Sequence, residues 1–165
     1  MPFEIDDWLV HPQHGVGRVV KLERRQFGAG AARLYYEICM PKGTIWVPVN
    51  GPASGLRRLT AKGDLAQYRG LLKGRPAALA KDHRQRQIDL AERLKDGSLR
   101  ARCEVVRDLS AQRWNKPLNE SNALLLRAAH EMVDEEWAAA QGLSRSEAAQ
   151  EIDALLMEGR QTYKE

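Results

Sequence analysis

The sequence predicts an α+β protein, in which a small β-barrel at residues 1–56 precedes an all-helical domain at residues 57–165. Two observations support this prediction. The first third contains short β-branched and aromatic runs separated by glycine and proline, which is typical of strands and tight turns. From Leu56 onward the apolar residues recur with a helical period among Ala, Leu, Arg and Glu. With 165 residues, of which 43% are hydrophobic, the chain is long enough to bury a core.

Four runs predict the strands: residues 8–10, 16–22, 34–40 and 44–49. Pro12 with Gly15, the 28–30 segment and the 41–43 segment interrupt them, and the last of these has hairpin-like spacing. We expect the antiparallel sheet to close into a barrel, because closure hides the hydrogen-bonding edges. The turn-rich residues 50–55 predict the domain boundary.

Helices are predicted near residues 63–73, 76–95, 98–113, 120–140 and 145–158. Four glycines suit helix C-termini: Gly74, Gly97, Gly142 and Gly159. The run from Ser144 to Glu147 fits a capping box. We expect residues 161–165 to fray.

The chain is predicted to be cytoplasmic, with no membrane association. No apolar stretch approaches the roughly 18 residues of a membrane span, and the first residues lack the features of a signal peptide. Cys39 and Cys103 lie far apart without clustered histidines, so we predict neither a metal site nor a disulfide. Both are expected to be small core residues.

The charge is unevenly distributed. Residues 57–113 contain 15 Lys and Arg against 7 Asp and Glu, whereas residues 114–165 contain 5 against 10. A basic middle segment indicates a polyanionic partner. The alternative, in which these cations solvate helix faces and form i,i+4 pairs, is equally compatible with the pattern.

Catalytic motifs are not found. The chain lacks a phosphate-binding loop, and Gly15-Val16-Gly17 lacks the third glycine of a dinucleotide fingerprint. His11 and His14 have no third ligand beside them, so turn packing is favoured over metal binding. An acidic cluster is interpreted as a solvated helix face: Glu131, Asp134, Glu135 and Glu136. We therefore predict a protein that is not an enzyme, with no catalytic residue, metal or cofactor.

Several segments form a recognisable set of motifs: residues 8–19 (WLVHPQHGVGRV), 35–38 (YYEI), 45–49 (IWVPV), 55–58 (GLRR), 71–74 (LLKG), 90–97 and 104–109 (EVVRDL). Together they resemble the bacterial CarD/CdnL family of transcription regulators. The resemblance covers nearly the whole chain. Transcription-repair coupling factors share only the N-terminal module and also need helicase motors, which are missing here.

The resemblance implies a Tudor-like domain that binds the β subunit of RNA polymerase, followed by a helical domain that contacts promoter DNA at the upstream edge of the melted region. Such a protein stabilises the open complex by binding it better than the closed one. It would act as a monomer on the polymerase and sigma factor holoenzyme, with weak, sequence-independent contacts to DNA.

Arg25 matches a family arginine that contacts polymerase, where a planar, permanent cation suits a carboxylate-bearing surface. The alternative is a solvated arginine at a strand end. Tyr36, Trp46 and Pro48 are carried over to the same surface, with Trp46 as a low-entropy aromatic anchor. Burial of Trp46 inside the barrel remains open as the alternative. Pairing of a polymerase strand with the sheet edge is a further possible binding mode.

The predicted DNA contacts lie in the basic segment: Lys81, His83, Arg84, Arg86, Arg93, Arg100 and Arg102. Many family members have a tryptophan at the start of the second long helix, where it wedges into the minor groove. This chain has Asp82 or His83 there, which predicts weaker open-complex stabilisation or more reliance on phosphate contacts. Trp114 and Trp137 are interpreted as core or domain-packing residues.

Two other functions remain open. A protein-only adaptor would use the barrel for a different partner, with the basic segment as a solvated face. A hydrolase or nuclease would need a metal or nucleophile site assembled from residues that are not adjacent in sequence.

Overall fold

The computed structural model describes residues 3–50 and 55–164. The chain forms two compact units, Met1–Leu59 and Thr60–Glu165. The first unit extends three residues beyond the predicted boundary, because a short last strand returns to the sheet. Most of the boundary turn, residues 51–54, lies outside the described residues.

The first unit is a five-stranded antiparallel sheet. Its strands are β1 (Trp8–His11), β2 (Gly15–Arg25), β3 (Arg33–Met40), β4 (Gly43–Pro48) and β5 (Arg57–Arg58). They hydrogen-bond in the order β4-β3-β2-β1-β5. The order has two ends, and no ladder joins β4 to β5 within the described part of the sheet.

One face of this sheet forms the core of the unit, and Leu9, Val19, Ile38 and Val47 are all buried on it. Gly17 of β2 lies beneath β3, where a Cβ atom would come within 2.6 Å of the Ile38 side chain and would also collide with Met40. Gly17, the second glycine of Gly15-Val16-Gly17, is therefore needed for close packing of β2 against β3.

A bulge interrupts β2 between Val19 and Lys21. Val19 pairs with Ile38, whereas Lys21, two residues later, pairs with Glu37 on the opposite face of β3. The extra residue, Val20, reverses which positions of β2 point toward the core. As a result, the odd-numbered residues after the bulge point away from it.

The second unit contains five α-helices: α1 (Leu65–Leu72), α2 (His83–Lys95), α3 (Leu99–Gln112), α4 (Glu120–Gln141) and α5 (Arg145–Tyr163). Gly97 and Gly142 follow α2 and α4 with φ of 72° and 74°, as their predicted role at helix ends requires. The Ser144–Glu147 capping box is confirmed, and both of its reciprocal hydrogen bonds are present.

Two helix ends were predicted wrongly. The second helix begins at His83 and not at residue 76, because Asp82, with an extended backbone, caps it and residues 75–82 are not helical. The last helix continues to Tyr163, so residues 161–163 do not fray. Gly159 does not end this helix: it lies against Lys73, whose carbonyl oxygen would be 3.1 Å from an added Cβ.

The helical core is built around Trp137, which is fully buried as predicted, with Leu109 and Ile152. Trp114 is only partly buried. Cys103 is a core residue, but Cys39 is exposed, because it lies on the outer face of β3. No helix in the described ranges is both long and apolar enough to span a membrane.

Candidate binding surfaces

The outer face of the sheet places charged and aromatic residues of three strands side by side. Glu23 of β2 pairs with Tyr35 of β3, which in turn pairs with Pro48 of β4. In the next row, Glu37 lies between Lys21 and Trp46. The β2 bulge brings Glu23 and Arg25 to this face, so the sheet has a polar and aromatic surface opposite its core.

Arg25 lies over two rings on this surface. Its guanidinium carbon is 4.7 Å from the centroid of Trp46 and 5.5 Å from that of Phe27. Phe27 packs edge-to-face on Tyr35 with 5.0 Å between centroids. We call Arg25, Phe27, Tyr35 and Trp46 the aromatic–arginine cluster. Stacking against rings pre-orients the guanidinium while leaving its N–H groups available to a carboxylate.

Trp46 lies outside the core of the β unit, which decides between the two alternatives for its position. Its ring is half-buried on the outer face, and its Nε1 donates a hydrogen bond of 3.2 Å to Glu37 Oε1. Phe27 is 49% exposed. Binding hot spots are enriched in Trp, Tyr and Arg, and interfaces are enriched in aromatic residues. The fixed Trp46 ring and the exposed Phe27 ring beside Arg25 fit this composition.

The prediction that Tyr36 belongs to the polymerase-binding surface is wrong. Its side chain is 1% exposed on the core face, where its ring packs edge-to-face on Phe3 and its hydroxyl accepts a hydrogen bond from the Phe3 backbone. Direct contact with a partner is therefore prevented. The sequence analysis did not assign Phe27 or Tyr35 to this surface. Tyr35 could have been found from the alternation of strand residues, because it is two positions from Glu37 on β3 and therefore lies on the same face. Pro48 is half-buried on the outer face, as its predicted role would need.

In the helical unit, four of the predicted DNA contacts are exposed: Lys81, His83, Arg84 and Arg100. The first three lie at the N-terminus of α2, where free N–H groups and the helix dipole favour anions. Asp82 caps this end by accepting from Gln85 N at 2.9 Å. His83 Nδ1 lies 3.1 Å from Asn119 Nδ2, which connects the start of α2 to the cap of α4.

Two predicted DNA contacts are buried instead. Arg86 is 7% exposed, and its guanidinium donates to the carbonyl oxygens of Ala80 and Lys81. Arg102 is 4% exposed and lies 4.0 Å from the carboxylate of Glu136. Both therefore stabilise the fold and cannot reach a phosphate without unfolding their surroundings. The sequence pattern of a basic helix does not distinguish these roles.

Arg93 is committed to an internal network centred on Asp108, whose side chain is fully buried. Asp108 accepts hydrogen bonds from Arg93 at 2.9 Å, from Arg107 at 2.8 Å and from the backbone N–H of Ala77 at 2.9 Å. The network joins α2, α3 and the segment before α2, so binding of DNA by Arg93 would compete with these contacts.

The acidic cluster is not a solvated face as a whole. Asp134 is 6% exposed and Glu136 is completely buried, where it accepts hydrogen bonds from the N–H and hydroxyl of Thr60. Glu131 behaves as predicted, in exposed pairs with Arg127 and Arg145.

His130 connects this cluster to α5. Its ring nitrogens lie 2.9 Å from Asp134 and 2.8 Å from Asp153. Burial by itself would lower the pKa of His130, but the hydrogen bonds and negative charge of Asp134, followed by those of Asp153, outweigh it and raise the pKa to about 9. At neutral pH the ring is therefore a cation between two carboxylates.

Metal binding has no support in the part of the chain that the structure describes, where no group of three His, Cys, Asp or Glu side chains is suitably placed. His11 Nδ1 accepts hydrogen bonds from the backbone N–H groups of Gln13 and His14. This arrangement is the turn packing favoured by the sequence. Burial, followed by the nearby His14, lowers the pKa of His11.

A β unit with an exposed aromatic and basic surface, joined in sequence to a helical unit, defines a binding protein. Comparison with protein families supports a more specific assignment. Residues 3–60 match the CarD-like/TRCF RID domain, a family of RNA polymerase-interacting domains with a Tudor-like fold, and residues 69–153 match the CarD C-terminal domain. The chain therefore belongs to the CarD family of transcription regulators.

A relative in Bacillus subtilis strain 168 extends the comparison over most of the chain. It is named "Putative transcription factor YdeB" and is 26% identical over 148 residues, which cover 88% of this chain and 96% of the relative. Both units are therefore included in the similarity.

Proposed function

We propose that this regulator binds the β subunit of RNA polymerase through the aromatic–arginine cluster and contacts promoter DNA at the upstream edge of the bubble through the start of α2. It would act as a cytoplasmic, nucleoid-associated monomer on the holoenzyme and change the lifetime of the open complex. The observation that carries the proposal is Arg25, stacked on Trp46 and Phe27 on the outer face of a polymerase-interacting domain.

The cluster suits an acidic protein surface. The Arg25 side chain is 38% exposed, and among the described residues Glu23 is the only carboxylate within 4.0 Å of its guanidinium. At that distance and exposure the pair contributes little. A partner carboxylate can therefore replace Glu23 at small cost, while the neighbouring rings lose water in the contact.

Arg25→Glu tests the polymerase half of the proposal. We expect at least a tenfold loss of affinity of the full-length protein for immobilised bacterial RNA polymerase, because a charge reversal would face the partner's carboxylates. Arg24→Glu is the matched control, since Arg24 is exposed but points to the other face of β2. Competition by purified β subunit would identify the subunit. Equal binding by both variants would favour the adaptor alternative.

The DNA half is restricted to Lys81, His83 and Arg84, with Arg100 as a more distant contact. Lys81 and Arg84 are exposed, and neither has an ion-pair partner among the residues described. Such cations neutralise phosphates without reading the sequence, so promoter choice belongs to the holoenzyme. The resemblance puts Asp82 or His83 at the position of the family's wedge; Asp82 caps α2, and His83 contacts Asn119.

The double variant Lys81→Ala/Arg84→Ala tests this half. We expect a shortened open-complex lifetime with unchanged polymerase binding, and a salt dependence weaker by about two phosphate contacts. The control is Arg127→Ala/Arg145→Ala, which removes two exposed cations from α4 and α5. Unchanged lifetimes in the Lys81/Arg84 variant would refute the DNA contact and leave the polymerase contact standing.

A further inference from the structure

A cleft lies between the last turn of α3 and the second half of α5. Its volume is about 450 Å³, and its lining is formed by Ser110, Arg113, Trp114, Asp153, Leu156, Met157 and Arg160. This volume falls within the roughly 300–1,000 Å³ of small-molecule sites. None of the residues assigned above to polymerase or DNA contributes to it.

Two arginines at the cleft have uncompensated charges. Neither Arg113 nor Arg160 has a carboxylate within ion-pair distance in the described part of the chain. The carboxylate that does line the cleft, Asp153, is held 2.8 Å from Nε2 of the cationic His130. Two guanidiniums beside one engaged carboxylate favour an anion with several acceptor oxygens, such as phosphate.

The remaining walls are apolar and polarisable. Trp114 is partly exposed and Met157 is 50% exposed, and both line the cleft together with Leu156. An indole ring and a thioether pack well on a flat aromatic ring. The cleft therefore combines two cationic side chains with apolar groups that suit a planar heterocycle.

The geometry points to a binding site for a free mononucleotide in this cleft, with the phosphate on Arg113 and Arg160 and the base against Trp114 and Met157. The site is independent of the polymerase and DNA contacts proposed above.

Calorimetric titration of the full-length protein with AMP and GMP tests the site. We expect a submillimolar Kd for at least one nucleotide and binding of inorganic phosphate at least tenfold weaker, because phosphate cannot use the apolar walls. Arg113→Gln and Arg160→Gln should each weaken nucleotide binding at least fivefold. Trp114→Ala should weaken nucleotide binding but leave phosphate binding unchanged. Arg145→Gln, at the other end of α5, is the matched control and should bind as the wild type does.

Photo-crosslinking locates the site without relying on variants. With 8-azido-AMP, we expect labelled peptides from residues 110–114 or 153–160, and excess AMP should abolish the labelling. The proposal is overturned by absence of nucleotide binding, by equal affinity for phosphate and nucleotide, by labelling elsewhere, or by binding of an octathymidylate strand without binding of mononucleotides.

Discussion

The two units use charged residues in opposite ways. In the β unit, Arg25 and Glu37 lie on the outer face, where one stacks on rings and the other orients Trp46. In the helical unit, charged groups such as Arg102, Asp108 and Glu136 are buried. All the buried charged side chains of the described residues belong to the helical unit. A charged segment of the sequence therefore indicates a binding surface only if its charged side chains are exposed and not buried in internal ion pairs.

The largest expected effect tests whether the helical unit depends on its internal charges. Asp108→Ala removes the acceptor of Arg93, Arg107 and Ala77 N, and we expect the free energy of unfolding to fall by about 3 kcal/mol. Urea denaturation followed by circular dichroism measures this change. Asp89→Ala, which removes an exposed carboxylate of α2, should cost less than about 0.5 kcal/mol. Equal effects would contradict the structural role of the network.

The β unit should be more sensitive to steric change than to charge. Gly17→Ala places a methyl group against Ile38 and Met40, and we expect a loss of about 2 kcal/mol in the free energy of unfolding. Arg25→Glu, on the outer face, should change this free energy by less than about 1 kcal/mol. Thermal or urea unfolding of both variants would check the contrast, and a larger loss for Arg25→Glu would reverse it.

The pH dependence of the helical unit should report His130. Because the pKa of His130 is raised to about 9 in the folded state, its contribution is complete below about pH 6.5 and is lost as the pH rises through about 9. We expect the loss to be roughly 1 kcal/mol, since Asp153 is largely exposed and water screens that pair. In His130→Gln this part of the pH profile should be flat. An unchanged profile in the variant would show that another group titrates.

The smallest expected effect is a stabilisation. Gly70 lies within α1, and nothing within 4 Å would obstruct a Cβ there. Gly70→Ala should therefore raise the free energy of unfolding by about 0.5–1 kcal/mol through helix propensity. Opposite changes in the free energy of unfolding for Gly17→Ala and Gly70→Ala would show that packing requires glycine at position 17 but not at position 70. Destabilisation by Gly70→Ala would contradict the open space around this position.

The α+β class, the order of strands and helices, and the family follow from the amino-acid sequence alone, because these depend on local periodicity, turn residues and short motifs. Gly142 and the Ser144–Glu147 box are visible in sequence since caps act over three or four residues. The same reasoning wrongly predicted a helix over residues 76–82. Their composition suits a helix, but the segment forms no regular secondary structure, and the backbone N–H of Ala77 donates to the distant Asp108.

Tertiary structure alone decided which functional candidates are accessible. The bulge at Val20 reverses the facing of β2 and brings Arg25 beside Trp46, and no alternation pattern contains that extra residue. Arg84 and Arg86 are two positions apart on α2, yet one is exposed and the other buried. The reason is physical: burial and ion pairing depend on elements distant in sequence, whereas residue type and spacing describe only the local chain.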